Sequence, residues 1–460
     1  MRNLQAWKAV AVAVAACAAL ALAGCGGGGG SGAGSGTVPA AVQSGPASCA
    51  VADQQAWLRA YMADQYYWYA NLGAASESAS SMDGYFRSLL YTAIDRYSYS
   101  QPAAVFSQFY AEGQRTGYGY SLAWADAART VLKVAFVEPL SPVGLAGLRR
   151  GDTIVAIDGY TPAQIVAGSL AAVDTAGVPR SFSIQDGAGN PRSFSVASAS
   201  YTLSPVPVGT TFDVATGAGS VKTGYLAYQE FIAGSAPALG SAFAGFAAAG
   251  VKELILDLRY NGGGSVTVAR NLASMVGGTA LGGQTFAQLR FNALHPEQNV
   301  TYAFTANPAL LPAPPLAGLG RVFVITSAST ASASELVINS LKPFMNVVLV
   351  GGTTYGKPYG FQPRDACGLT YSAVNFDSVN AQGVGGYSNG IAANCVVADD
   401  LGHQLGDMAE GRTAAAVAYI QTGNCPAGTA ALQARQAPAA SAGSGGGLFG
   451  ETVPPQMFAD

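Results

Sequence analysis

Residues 251–264 read VKELILDLRYNGGG. Leu254, Ile255, Leu256 and Leu258 make a short apolar run closed by a glycine turn, the pattern of a strand buried on both faces. Upstream, TGYLAYQEFI (223–232) reads as a second strand, and an alanine-rich helix reaching about Gly250 lies between the two. Strand, helix and strand in succession imply a parallel crossover unit. Downstream, RVFVITSAST (321–330) and NVVLVGG (346–352) repeat the β-branched run ending in small residues. Residues 203–425 therefore read as an α/β core whose loops gather at the carboxyl ends of strands, where sites tend to form. The glycine run lacks the Gly-Lys-Ser/Thr ending of a phosphate-binding loop, which removes the nucleotide hydrolase reading.

Working outward, residues 1–25 carry Arg2 and Lys8, an apolar stretch too short to span a bilayer, and then LAGC. This is a signal peptide of the lipoprotein type. Cys25 is the expected acylated anchor, and GGGGGSGAGSG opens a flexible tether over residues 26–47. Gly26 directs the expectation to an outer-membrane lipoprotein facing the periplasm. Cys49, Cys367, Cys395 and Cys425 remain, permitting two disulfides in an oxidising compartment. Of three pairings, Cys367–Cys395 with Cys49–Cys425 is expected. No CxxC pair suggests zinc, and no metal or other cofactor is expected. Only 11% of residues are charged and the net charge is −3, which sets nucleic acid aside as a partner.

Residues 48–112 read as a small helical domain. DQQAWLRAYMADQYYWYANL (53–72) repeats apolar and aromatic residues at helical intervals, and a second helix is expected over 81–94. Residues 113–202 turn to short β-type runs between Gly and Pro turns. Residues 426–460, rich in Ala, Gly, Ser and Pro, read as a disordered tail.

The chemistry centres on STASASELVINSLK (329–342), where small hydroxyl residues precede a helix. Ser332 with Glu335 has the form of a capping box, which would satisfy backbone donors and nothing more. The same helix start favours negative charge, so a serine there could equally attack a carbonyl. A base is scarce: the chain has two histidines, His295 and His403, and His403 lies in a polar segment beyond the core strands. Lys357, one of six lysines, sits in GGTTYGKPYGFQ directly after a core strand. To act as a base near neutrality its pKa must fall by about three units, which burial can supply.

Two resemblances sharpen this. SPVGLAGLRRGDTIVAIDG (141–159) resembles the later half of a PDZ domain. GYGYSLAW (117–124) then falls where such domains place the carboxylate-binding loop, with Gly117, Tyr118, Gly119 and Tyr120 as the peptide-binding residues. SASE, followed by the lysine of YGKP and preceded by LDLRYNGGG and YFRSLLYTAIDRYSY, resembles the C-terminal processing peptidases, or tail-specific proteases. That resemblance implies a ClpP/crotonase-like α/β protease core of mixed sheet and helices, with a β-rich PDZ-like domain and a small helical N-terminal domain. It implies Ser332 as nucleophile, Lys357 as general base, and the amides of Ala333 and Gly263 as the oxyanion hole. Gly262 stands where the family commonly has proline. Gln362 falls five residues after the lysine rather than the family's four. The expected activity is endopeptidase cleavage of unfolded or tail-exposed proteins with apolar C-terminal tails, at a membrane reached through the lipid anchor. A homo-oligomer or an adaptor protein stays open as a partner. The alternative is an inactive PDZ-containing envelope lipoprotein that only binds tails.

Overall fold

The computed structural model describes residues 45–427, 448–451 and 454–459. The signal, Cys25 and the tether up to residue 44 lie outside them. The core is a six-stranded sheet ordered Cys395–Val396, Asn346–Gly351, Arg321–Thr326, Glu253–Asp257, Gly219–Ala227, Val208–Thr216. All neighbours run parallel except the last pair.

Alternate residues of the central strands enter two different cores. Leu254, Leu256, Val322, Val324 and Leu349 pack beneath helices Ala236–Ala248, Val266–Gly277 and Ala333–Leu341. Ile255, Phe323, Ile325, Val348 and Val350 pack against helix Gly411–Thr422. With both faces covered the strands carry no polar alternation, which is why they read as continuous apolar runs. Each fully buried Leu, Ile or Phe contributes about 1.5–3 kcal/mol, so this double burial fixes the strand ends that carry the site.

A second six-stranded sheet is ordered Gly263–Ser265, Gln456–Phe458, Tyr359–Phe361, Val374–Val379, Thr285–Phe291, Val300–Ala303. The N-terminal unit packs beside it. Helix Val51–Gln65 stops seven residues short of its expected end. Tyr66 turns extended, its buried hydroxyl donates to Asp95 Oδ2 at 2.6 Å, and Tyr67 N–H donates to Val374 O at 2.7 Å. The second helix covers only Met82–Ser88, because Ser88 Oγ donates back to Tyr85 O and Gly73 N–H donates to Leu89 O.

The disulfides differ from expectation: Cys49 pairs with Cys367, and Cys395 with Cys425, not Cys367–Cys395 and Cys49–Cys425. Strand Tyr99–Pro102 pairs with Leu369–Ser372, so the N-terminal unit lies against the turn carrying Cys367 and brings Cys49 to it. Cys395 sits on the edge strand beneath helix Gly411–Thr422, whose end delivers Cys425.

Residues 118–197 form a β-rich module with its own core of Tyr118, Leu122, Val134, Val143, Ile154, Ile157, Phe182 and Ile184. Its strands are Tyr120–Trp124, Leu132–Val137, Thr153–Ile157, Pro179–Gln185 and Pro191–Ala197, and Phe449–Gly450 adds a sixth at the edge. The expectation of disorder over 426–460 is corrected for its last part: Phe449–Gly450 and Gln456–Phe458 are paired strands. Ala, Gly and Ser dominate the average composition of that segment, whereas Phe449, Met457 and Phe458 supply apolar side chains at its end.

Candidate active site

Strand Arg321–Thr326 ends in the serine-rich loop, and that loop is stitched to residues 258–261 of the neighbouring strand end. Thr330 Oγ1 donates to Leu258 O at 2.8 Å, Ser334 Oγ donates to Asn261 O at 3.1 Å, and Ala331 N–H donates to Asn261 O at 3.1 Å. Ser327 Oγ donates to Arg259 O. Ser332 differs from all of these, because its Oγ is buried without a hydrogen-bond partner. Its backbone is also strained, at φ 63° and ψ −114°, a region non-glycine residues rarely adopt and one associated with functional sites. Helix Ala333–Leu341 starts immediately after it, so the Ala333 N–H belongs to the first turn, whose donors have no intrahelical acceptor.

Glu335 ties this serine to the lysine loop. Its Oε2 accepts from Ser332 N–H at 2.9 Å and from Lys357 N–H at 2.8 Å. Its Oε1 accepts from Gly356 N–H at 2.7 Å and Thr354 Oγ1–H at 2.5 Å. One carboxylate oxygen thus holds the backbones of both residues expected to do chemistry. Only the glutamate half of a capping box forms in the geometry, since Ser332 Oγ makes no return bond. Burial raises the Glu335 pKa, and the four donors oppose that rise.

Lys357 is buried, and its Nζ lies 3.7 Å from the Phe361 ring centroid. Burial drives the amine well below its ordinary range, against the opposing pull of Asp95 and Glu335. No carboxylate forms an ion pair with it among the described residues. The N-terminal unit grips its loop: Tyr97 Oη–H donates to Gly356 O at 2.9 Å, and Arg96 donates to Tyr355 O, Gly356 O and Ser388 O. Asp95 fixes that turn by accepting from Tyr97 and Ser98 N–H, both at 2.9 Å. The motif DRYSY carried resemblance in the sequence but no role; its role is to hold this loop.

Gly263 lies against Ser332 and Ala333: a Cβ at this position would come within 2.8 Å of Ala333 N and 2.9 Å of Ser332 Cβ. With φ at 106°, only glycine fits. The Gly263 N–H donates to Asn261 Oδ1 at 2.8 Å, so it is directed away from any incoming oxyanion. Between Gly263–Ser265 and Tyr359–Phe361 runs Gln456–Phe458, parallel to both. Lys357 Nζ donates to Pro455 O at 2.5 Å.

Gln362 is not brought to Lys357. Its backbone N–H donates to Asn375 Oδ1 at 2.7 Å, and the residue four after the lysine, Phe361, packs on the amine instead. Neither histidine approaches Ser332. His403 Nδ1 pairs with Asp400 Oδ2 at 2.7 Å on the surface, and His295 sits between Asp64 and Glu297.

In the β-rich module, Tyr118 and Gly119 N–H donate to the two carboxylate oxygens of Glu451 at 2.6 and 2.7 Å. Gly119, at φ 87°, has no room for a Cβ against Ser141. Phe449 and Gly450 pair antiparallel with Leu122 and Ser121. All four residues expected to bind a peptide thus surround a carboxylate-bearing extended segment.

A buried ionic cluster joins this module to the core. Arg259 is held by Asp257, Asp399 and Glu410, and Tyr225 Oη–H donates to Asp257 Oδ2 at 2.6 Å. Arg150, from the module, reaches Asp399 Oδ1 at 2.8 Å and donates to Tyr260 Oη at 2.5 Å. Burial alone would raise the Asp399 carboxyl; Arg412, Arg259 and Arg150 outweigh it and hold the group far below the usual range. Sequence reading missed Asp399 and Glu410, which follow Arg259 by 140 and 151 residues.

Comparison with known proteins bears on the fold. Residues 222–373 match the model of peptidase family S41, and residues 53–99 match the peptidase S41 N-terminal domain. The chloroplastic C-terminal processing peptidase of Tetradesmus obliquus is 25% identical over 267 residues, covering 53% of this chain and 52% of that protein. A carboxyl-terminal-processing protease of Synechocystis is 26% identical over 253 residues, covering 52% of this chain and 53% of its own. The chain thus spans about half the length of the curated relatives it matches. The crystal structure of a Bacteroides fragilis protein assigned to the S41 proteases superposes with a TM-score of 0.63 at 24% identity, over 79% of this chain and 96% of that one, which shows the fold. The mixed sheets and helices are those of the S41 fold, and the resemblance of the sequence to peptidase family S41, the C-terminal processing peptidases, is carried by residues 53–99 and 222–373.

Proposed function

We propose that the protein is a serine endopeptidase using Ser332 and Lys357, anchored through Cys25 at the periplasmic face of a bacterial envelope, that selects proteins by apolar C-terminal tails. The observation that carries the reading is the single Glu335 oxygen accepting from both Ser332 N–H and Lys357 N–H, with the lysine amine buried and depressed beside it. A neutral amine there takes the Ser332 proton, and the alkoxide attacks a peptide carbonyl to give a tetrahedral oxyanion. Ala333 N–H, at the positive end of its helix, and Gly263 N–H, once released from Asn261, stabilise that charge. The lysine returns the proton to the leaving amine, and water resolves the acyl-enzyme.

The β-rich module acts as a PDZ-like domain. Its Tyr118 and Gly119 amides suit a terminal carboxylate, and strand Tyr120–Trp124 pairs with the tail by β-addition. Gln362 is not assigned a part in the proton transfer.

The test is cleavage of an unfolded protein ending in an apolar tail. Ser332→Ala and Lys357→Ala should each abolish cleavage with the fold intact by circular dichroism. Near-full activity in Lys357→Ala would overturn the dyad. Tail binding with no cleavage by any form, whether intact or lacking residues 448–460, would leave a binding lipoprotein.

A further inference from the structure

Residues 448–451 and 454–459 occupy both halves of the machinery at once. The Glu451 side chain fills the carboxylate site, with Tyr118 and Gly119 N–H at 2.6 and 2.7 Å, Tyr201 Oη at 3.4 Å, and Arg115 Nη1 donating to its backbone O at 3.0 Å. Phe449 and Gly450 take the β-addition edge of strand Tyr120–Trp124. Pro455 O takes the proton donor Nζ of Lys357, and Gln456–Phe458 fills the slot between the strand of Gly263 and the strand following the lysine. Met457 is fully buried, and Phe458 packs on Tyr110 at 5.1 Å. We propose that residues 448–459 are a built-in inhibitory ligand of this protein, closing the peptide-binding groove and the catalytic cleft together until a substrate's terminal carboxylate displaces Glu451.

Three features separate an inhibitor from a trapped substrate. The first is direction. A substrate held by its terminal carboxylate at Tyr118 and Gly119 has no residues beyond that point, so its cleavable bond lies upstream. Here the chain passes the carboxylate site and enters the cleft downstream of it, so the segment fills the cleft with the wrong end. The second is the state of the catalytic groups. Lys357 is spent on Pro455 O, Ser332 Oγ has no partner, and Gly263 N–H is turned to Asn261. The Pro455 carbonyl that Lys357 holds is bonded by neither Ser332 Oγ nor Gly263 N–H. The third is the anchor, a side-chain carboxylate standing in for a chain end, so the groove is filled by an internal residue that any free C-terminus can replace.

Covalent attachment supplies the strength. Tethered ligands act at effective concentrations on the order of 1 mM, so a segment that binds in trans at about 100 μM closes the protein to about nine parts in ten. Releasing it should then raise cleavage about tenfold.

The consequence for activity rests on the protease reading, so the experiment has two arms. In the first, a fluorescein-labelled synthetic peptide of residues 448–459 is titrated, by anisotropy, into a chain ending at Gly447 and carrying Ser332→Ala. Saturable binding is expected, weakened at least about tenfold when the peptide carries Glu451→Ala, and weakened about tenfold with the full-length chain, whose own segment competes. Equal binding to both chains, or none to either, overturns the docking whatever the enzyme does. In the second, cleavage of the tailed unfolded substrate is compared among wild type, full-length Glu451→Ala and the chain ending at Gly447. Faster cleavage by both altered forms, reversed by added peptide, supports the inhibition. Should the shortened chain lose its fold, the Glu451→Ala form decides. Cleavage at the wild-type rate by Glu451→Ala overturns the inhibition, while cleavage by no form, with peptide binding intact, overturns the protease reading and keeps the docking.

Discussion

Arg259 and Lys357 are both buried cations at the ends of core strands, and they are housed in opposite ways. Arg259 donates to Asp257, Asp399 and Glu410, so its charge is matched from three sides. Lys357 has an aromatic ring, a carbonyl and its own loop backbone, and no carboxylate within ion-pair distance among the described residues. Burial with partners locks a charge in place, whereas burial without them pushes the group toward its neutral form. The first arrangement builds the strand ends; the second makes an amine able to accept a proton.

The largest effect should come from breaking the matched side. Arg259→Met leaves Asp257 and Glu410 buried without their counter-ion, a change that costs about 3–5 kcal/mol. Its midpoint in urea should fall accordingly, and peptide binding to the β-rich module should weaken as Asp399 loses its hold between Arg259 and Arg150. An unfolding free energy within about 1 kcal/mol of wild type would show that the cluster is dispensable.

Glu138 extends the comparison to an acid. It is buried at the junction of module and core, accepts from Ser204 N–H at 3.0 Å, and burial raises its pKa to about 7, against the opposing effects of that bond and of Arg115. Glu230 nearby is also raised, by burial first and then by Glu138. Because the folded carboxyl holds its proton above the unfolded value, its contribution to stability is complete below about pH 4.5 and is lost as pH rises through 7. The loss amounts to about 3 kcal/mol at most. Unfolding free energies at pH 5 and pH 8 should differ in that direction, and Glu138→Gln should flatten the difference. An unchanged slope in Glu138→Gln would assign the pH dependence elsewhere.

How much of this was legible follows from the range of the contacts. The parallel core could be read because double burial writes apolar runs directly into Leu254–Leu256 and Val322–Ile325. Ser332 could be read as a helix start, yet nothing local separated it from Ser334 or Thr330; that separation lies in carbonyls at Leu258 and Asn261. Lys357 could be read as a candidate base from its place after a core strand, and the resemblance gave it the role. Glu335 was seen as a capping partner, and its second task, holding the lysine loop, depends on residues about twenty positions away. The Cys49–Cys367 bridge and the docking of Glu451 on Tyr118 depend on separations of 318 and 333 residues, which leave no periodicity to detect.

Glu335→Gln tests the link between the serine and the lysine. An amide places an N–H₂ against donors on one side, either the pair Ser332 and Lys357 or Gly356 with Thr354. That leaves buried donors unmatched at about 1–3 kcal/mol. We expect a stability loss of about 2 kcal/mol, and a fall in kcat on the order of 100-fold from misplaced reacting groups, with KM little changed. A kcat near wild type would show that the shared oxygen is not what aligns the two residues.

Lys357→Met should have the smallest effect on stability and the opposite sign to Arg259→Met. The unfolded lysine binds a proton up to its ordinary pKa, whereas the folded amine loses it earlier. Between those two values the unfolded state holds more protons, and stability rises with pH. Methionine keeps the volume, removes the desolvated amine and forfeits one hydrogen bond to Pro455, so the net gain at pH 7 should be about 1 kcal/mol, with that pH slope erased. Cleavage should vanish in the same variant. Loss of activity with a gain in stability is the signature of a group kept for chemistry at the expense of the fold. If Lys357→Met destabilises the protein as Arg259→Met does, the amine is a structural cation, and the contrast between the two sites collapses.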